Sequence, residues 1–294
     1  MENKPIKEVP IVVIDTETTG LAHDSYIIEV GAVKLLGDRL VDTFSTLIRP
    51  PIPIPKKVTK IHGINDYMVK DAPTFPFVVD KFLSFIKDSI LVAHNAPFDM
   101  KVLTVNIKRA GKRLPTNPVL DTCRISRSLF PELRSHSLKY LALYWGSPFK
   151  ELHRALSDAK HTAYVFLSIL KKCGFTMDDS VSKLFELLGP PIYFKDFEHI
   201  YTHPDTEETD TVQFIIRCIE AGKKIELLYH CENNLDLKRR VIPLNLFTKQ
   251  EMLYLKAYCL MDGREKSFRI DRIKRVRVWE NEVETGTGHT CYFR

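Results

Sequence analysis

Asp15-Thr16-Glu17 sets two carboxylates two residues apart, directly after the apolar run Ile11-Val12-Val13-Ile14. In an extended chain with a period of two, both project to the same side. Two acids on one face repel each other unless a cation lies between them. Thr18-Thr19-Gly20-Leu21 then reads as a tight turn at the strand's carboxyl end, where ligands bind in open α/β sheets. A further acid, Asp99, closes His94-Asn95-Ala96-Pro97-Phe98-Asp99, just after the apolar Leu91-Val92-Ala93. Pro97 suits a first helical turn, which puts Asp99 near a helix start. The third group is His153-Arg154-Ala155-Leu156-Ser157-Asp158-Ala159. A five-residue offset turns a helix by about 140° net, so His153 and Asp158 meet only if His153 precedes the helix and Asp158 lies in its first turns. Taken singly, these are a solvated strand end, an acid stabilising a helix N-terminus and a surface histidine. Taken together, Asp15, Glu17, Asp99 and Asp158 bring four negative charges from three elements. Such hard oxygen ligands fit Mg²⁺ or Mn²⁺, and four carboxylates balance two divalent ions. Two ions about 4 Å apart would clamp the attacking and leaving oxygens of a phosphodiester. A neutral histidine nearby would take the proton from the attacking water.

D-T-E-T-T-G-L, H-N-A-P-F-D and H-R-A-L-S-D-A, in this order, resemble the three motifs of the DEDDh 3′→5′ exonucleases. The resemblance covers about residues 8–175 and implies an RNase H-like fold. It implies that Asp15, Glu17, Asp99 and Asp158 are metal ligands, that two Mg²⁺ or Mn²⁺ ions are the cofactors, and that His153 is the general base. Ile61-His62-Gly63-Ile64 resembles a loop of the proofreading branch of that family. By the same likeness Thr18, Leu21, His62 and Asn95 stand beside the terminal nucleotide. Asp121, in Val119-Leu120-Asp121-Thr122, matches a family strand end whose acid is not a ligand, and is read as structural.

The elements needed to position these groups are visible in the patterning. The run at 11–14 reads as a central strand buried on both faces. Residues 26–36 and 39–48 read as two strands joined by Gly37-Asp38, a hairpin signal, and the proline-rich stretch 50–55 must cross the surface. A helix is expected over 74–87, a short strand over 90–93, a helix over 98–109 and a strand fragment at 119–120. Helices follow at 123–130, 137–145 and 155–172. The fold class expected is therefore α/β, a mixed five-stranded sheet with helices, ending near residue 175. Residues 176–207 read as a helical linker, with the acidic run Asp205 to Asp210 as an exposed connection.

Beyond Lys224 five short strand candidates follow (225–230, 239–247, 252–259, 267–270 and 273–279), separated by turn signals, as in a small β-barrel. Charge is concentrated here. The chain of 294 residues carries a formal +6, and Asp236 to Glu280 holds 12 Lys and Arg against 6 Asp and Glu, so the whole excess lies in this segment. A polyanion is the partner this implies. Arg239-Arg240-Val241, Leu253-Tyr254-Leu255 and Phe268-Arg269-Ile270-Asp271-Arg272-Ile273 resemble the WYL domain over about residues 208–282, with Leu253 where that family has Trp. The resemblance implies an Sm/SH3-like barrel that binds nucleic acid or another anionic ligand through Tyr254, Arg269 and Arg272, with Arg239 as a lesser contact. Solvation of an outer barrel face fits the alternation around Arg269 equally well.

No run approaches the roughly 18 apolar residues of a membrane span, and Met1-Glu2-Asn3-Lys4-Pro5 lacks the apolar core of a secretory signal. Six cysteines lie far apart with no C-x-x-C pair, so a reducing cytoplasm is expected. There is no G-x-S-x-G signature and no phosphate-binding loop. The expectation is a cytoplasmic, metal-dependent 3′→5′ exonuclease, with DNA favoured, single-stranded 3′ ends as partner, DNA repair as a setting and a bacterial source by resemblance. Two rivals remain open: an exoribonuclease of the oligoribonuclease or RNase T type, and a WYL-type nucleic-acid-binding regulator with a vestigial nuclease domain.

Overall fold

The apolar run after Val9 becomes β1 (Pro10–Thr18), the middle strand of a five-stranded mixed sheet. β2 (Ile27–Leu36) and β3 (Arg39–Leu47) follow as an antiparallel hairpin, with Leu36 opposite Arg39 across the Gly37-Asp38 turn. After α1 (Lys56–His62), α2 (Asp66–Val69) and α3 (Phe75–Ile86) comes β4 (Ile90–Ala93), parallel to β1. α4 (Ala96–Arg109) leads to β5 (Val119–Asp121), parallel to β4, giving the order β3-β2-β1-β4-β5. Then come α5 (Thr122–Leu129), α6 (Leu138–Tyr144), α7 (Ala155–Lys172) and α8 (Val181–Leu188). This is the mixed five-stranded sheet with helices expected from the sequence. The computed structural model describes residues 2–22, 25–150, 152–201, 211–231, 235–249 and 252–279. The acidic run at 205–210, the turn at 232–234 and the last residues of the segment ending at 282 lie outside them.

β1 is buried on both faces, and its alternation decides which helix each side chain meets. Ile11 and Val13 pack with Val33, Leu35 and the α7 residues Val165, Phe166 and Ile169. Val12 and Ile14 pack with Val30, Ala32, Phe82 of α3 and Leu103 of α4. α7 thus covers one face, and α3 with α4 covers the other. The chain divides into two compact units, Met1–Tyr201 and Thr202–Arg294. Of the stretch that the sequence sets apart at 176–207, the part up to Tyr201 belongs to the first unit. Val181, Leu184 and Leu188 are buried in the α7-side core, and Phe194 is buried on the other side.

The second unit begins with α9 (Thr211–Glu220) and continues as β6 (Ile225–His230), β7 (Asp236–Lys249), β8 (Met252–Cys259), β9 (Arg264–Arg269) and β10 (Ile273–Val278). The strands form an antiparallel sheet in the order β10-β6-β7-β8-β9. Ile215 and Cys218 of α9 close its core against Ile225, Leu227, Val241, Leu255, Ala257 and Cys259. The edge strands β9 and β10 are joined by the single 3₁₀ turn Ile270–Arg272. In a flat sheet those edges would stand about 19 Å apart. A connection of three residues requires the sheet to curl.

Candidate active site

Asp15 and Glu17 lie on the α7 side of β1, at its carboxyl end, as the period of two requires. Their register partners on β2 are Gly31 and Glu29. Gly31 is needed here for space. A Cβ on it would lie 2.1 Å from the Leu156 nitrogen and 2.2 Å from the Ala155 carbonyl carbon. The absence of a side chain lets the first turn of α7 rest directly on β2 beside Asp15, which delivers Asp158 to the cluster. Glu29 fixes the same helix end from below. It is 2% exposed, accepts the Ala155 N–H at 3.0 Å, and receives Arg154 through Nη2 at 2.7 Å and Nε at 3.1 Å.

With α7 anchored, Asp15, Glu17 and Asp158 each place a carboxylate oxygen within 4.8 Å of the others. His153 stands in the loop before the helix with φ +64° and is exposed. Its backbone N–H donates to both oxygens of Asp158, at 3.2 and 3.1 Å. That is the arrangement the five-residue offset demanded. Asp99 arrives from the opposite face, in the first turn of α4. It is 3% exposed and accepts the Thr16 hydroxyl at 2.7 Å. Thr16 points to the α4 side because it lies between Asp15 and Glu17. Asp99 therefore stands next to the group of three and outside its 4.8 Å circle.

The electrostatics are those of a cation site. Burial raises the Asp15 carboxyl well above its usual range, and Asp99, Asp158, Glu17 and Glu29 add to this by repulsion. Burial, then Asp158, Glu29 and Asp99, push Glu17 up to about 8, with Arg154 opposing. Burial raises Asp99 to about 7 against the pull of the Thr16 hydrogen bond. Burial raises Asp158 too, opposed by the His153 amide. Carboxyls crowded and desolvated in this way favour a proton or a divalent ion between them. Three hard oxygen donors fit Mg²⁺ or Mn²⁺ by their chemistry.

The other residues marked in the sequence surround this centre unevenly. Thr18 is buried and donates its hydroxyl to the Gly20 carbonyl at 2.5 Å, shaping the turn from which Leu21 projects, 78% exposed. His62 is buried, its Nδ1 accepting the Ile64 N–H at 3.0 Å. Burial lowers its pKa, and the Thr18 backbone, Glu29, Arg154 and His153 are its electrostatic neighbours. Asn95 is the exposed left-handed residue before α4, φ +64°, with its N–H on Asp121. Asp121 also accepts the Cys123 N–H at 2.9 Å. It stitches the β4 and β5 ends together, a structural task as expected.

In the second unit Tyr254 and Arg269 are neighbours, while Arg239 lies on another face. Tyr254 stands opposite Arg269 on neighbouring strands and stacks on Phe247 at 5.4 Å. Arg269 is occupied by Asp271 through Nη2 at 2.6 Å and Nε at 3.1 Å. Arg239 is two residues from the buried Val241, on the face away from Tyr254, and lies 4.0 Å from Asp262. Arg272 lies in the 3₁₀ turn between the sheet edges.

Residues that sequence reading passed over are Gly31, Glu29, Thr16 and Arg154. Glu29 carried the one available signal, a charge inside the apolar run Ile27-Ile28-Glu29-Val30, which must find a partner when buried.

Comparison with known proteins follows the same division. Residues 12–166 match the family model described as Exonuclease, and residues 210–278 match the WYL domain. The PolC-type DNA polymerase III of Caldanaerobacter subterraneus subsp. tengcongensis is 42% identical over 188 residues, 64% of this chain and 13% of that protein. The Bacillus subtilis PolC-type polymerase is 40% identical over 169 residues, 56% of this chain and 12% of its own length. The chain thus spans about an eighth of these relatives. Among solved structures, the nuclease domain of 3′hExo, a DEDDh family member bound to rAMP, superposes with a TM-score of 0.51 at 21% identity, over 59% of this chain and 98% of that one. E. coli Exonuclease I, in complex with a dT13 oligonucleotide, gives 0.51 at 13% identity over 90% of this chain and 64% of that chain. At these identities the likeness is one of fold.

Proposed function

Because this chain belongs to the exonuclease family, we propose that its first unit is a metal-dependent 3′→5′ exonuclease that hydrolyses the terminal phosphodiester of a nucleic-acid strand, DNA favoured, releasing nucleoside 5′-monophosphates. The observation that carries the reading is the convergence of Asp15, Glu17 and Asp158 within 4.8 Å at the end of the central strand. These three, with Asp99 behind them, would hold two Mg²⁺ or Mn²⁺ ions, which when bound supply positive charge to the phosphoryl oxygens. His153, exposed at the rim with its amide fixed on Asp158, is the group free to accept the proton of the attacking water. Thr18, Leu21, His62 and Asn95 flank the single-stranded 3′ end. Residues 8–175 are the catalytic segment, whose compact unit extends through 176–201, and 208–282 are the WYL module, with the curled sheet read as a small barrel that binds nucleic acid. The five described cysteines are free thiols, which suits a reducing cytoplasm.

The test is an end-labelled ladder assay on single-stranded DNA, duplex DNA and RNA in Mg²⁺ and Mn²⁺. Stepwise shortening from the 3′ end with release of 5′-monophosphates, stopped by EDTA, is expected. Internal nicking of circular DNA, or activity undiminished by EDTA, overturns the assignment.

A further inference from the structure

One face of the second unit carries charge that its own ion pairs do not use. Ile225 and Leu227 of β6 are fully buried, so Glu226 and Leu228 lie on the opposite face. In register with them stand Arg277 and Arg275 on β10, and Arg240 and Lys238 on β7. Two rows cross the three strands, Arg277–Glu226–Arg240 and Arg275–Leu228–Lys238. With strands about 4.8 Å apart and alternate residues about 7 Å apart, the four cations mark the corners of a patch on the order of 7 by 10 Å. Glu226, Leu228, Lys238, Arg275 and Arg277 line a depression of about 140 Å³.

Glu226 holds the first row. Arg277 Nη2 donates to its Oε1 at 2.7 Å, and Arg240 Nε to its Oε2 at 3.3 Å. The second row has no such anchor. Lys238 and Arg275 form no hydrogen bond or ion pair with any described residue, Leu228 lies between them, and Lys238 is attracted to Glu226 only through space, from the neighbouring row. Like charges left facing one another across strands cost stability, unless an anion comes between them. Beside the patch, after the end of β10, Trp279 has the Arg240 guanidinium 5.0 Å and the Lys224 ammonium 5.6 Å from its ring centroid. Its backbone N–H donates to the Lys224 carbonyl at 2.9 Å. Several other cations of this unit are paired with acids, Arg269 with Asp271, Lys266 with Asp262, Lys256 with Glu265 and Lys274 with Asp236.

We propose that the β10-β6-β7 face is the binding site for a single-stranded nucleic-acid segment, with its phosphates on Lys238 and Arg275 and a base on the Trp279 ring. Unpaired cations interleaved with an aromatic ring are the chemistry that holds such strands. The inference rests on the WYL module being a nucleic-acid-binding unit, and it moves the contact from Tyr254, Arg269 and Arg272 to the other end of the strand order.

The experiment uses the full chain in EDTA, where turnover is stopped, with a fluorescein-labelled 20-mer of thymidylate read by anisotropy across a salt series. The double variant Lys238→Gln/Arg275→Gln is expected to bind at least 10-fold more weakly and to flatten the salt slope by about 1.4, the loss of two phosphate contacts on a single strand. Trp279→Ala should cost about 10-fold, and Trp279→Phe should recover most of it. Arg269→Ala/Arg272→Ala should stay within twofold of wild type. Circular dichroism melts check that each variant folds, and photo-crosslinking of a 4-thiothymidine oligonucleotide should label residues 273–279 in the wild type. If only Arg269→Ala/Arg272→Ala loses binding, the face is wrong and the module still binds nucleic acid. If no second-unit variant changes binding, the nucleic-acid reading of the module falls with it. Hydrolysis of a dinucleotide in Mn²⁺ by the same variants, expected at the wild-type rate, keeps both outcomes separate from the exonuclease assignment.

Discussion

At the scale of single residues, the site separates holding charge from moving a proton. Asp15 and Asp158 each contribute an oxygen to the tight cluster, so Asp15→Ala and Asp158→Ala are expected to abolish turnover and weaken Mn²⁺ binding by calorimetry. Unchanged metal affinity in Asp15→Ala would contradict the ligand role. His153 contributes its backbone to Asp158 and leaves its ring exposed. His153→Ala keeps the amide, so it should retain metal affinity and lose on the order of 10²–10⁴-fold in rate. The residue types and spacings of this centre were legible because each acid sits at the end of a patterned strand or start of a patterned helix. Thr16 was not. Its bond to Asp99 depends on α4 covering the opposite face from α7, a fact of packing that no local pattern contains.

At the scale of elements, the start of α7 is held by contacts made across the sheet. Gly31 and Glu29 sit on a strand more than a hundred residues earlier in the chain, and act only once β1 and β2 are in register. Gly31→Ala puts a methyl carbon into the α7 backbone. It should destabilise the protein by about 1–3 kcal/mol, the usual cost of overpacking, read as a lower urea midpoint. Activity should fall further than stability, since Asp158 moves with the helix. A Gly31→Ala protein with wild-type rate and midpoint would show that α7 is positioned otherwise. The same reasoning marks where sequence patterning ran out. The main strands and helices of the first unit follow from periodicity and from stops such as Gly111 and Gly146. The short α1 and α2 have too few turns to show a period, and α8 reads as linker because its apolar face meets α7 only in the folded chain. In the second unit the strands were legible. Which cations are spent on carboxylates was not, because register decides that Arg240 meets Glu226 while Lys238 meets Leu228.

At the scale of the whole molecule, the buried acids make folding stability depend on pH and on divalent ions. The native protein holds Glu17 protonated up to about 8 and Asp99 up to about 7, against ordinary values of 4.5 and 3.8. Between those limits the folded chain binds protons that the unfolded chain has released, so stability falls as pH rises through the window. His62 and His94 act in the opposite sense, because burial lowers both. The stability they withhold at low pH is regained as pH rises through about 6.5, where the unfolded histidines lose their protons. Above that pH the carboxyl cluster is left to set the slope. In EDTA the thermal midpoint is therefore expected to drop from pH 6.5 to 8. Mn²⁺ should restore it, and by more at pH 8 than at pH 6, because metal and proton compete for the same oxygens. Glu17→Gln removes a group whose window runs from 4.5 to about 8. Without metal it should be more stable than wild type at pH 8, with a shallower pH slope and a smaller gain on adding Mn²⁺. If Glu17→Gln melts at or below the wild-type temperature at pH 8 in EDTA, then repulsion among these carboxylates is not what the cation relieves.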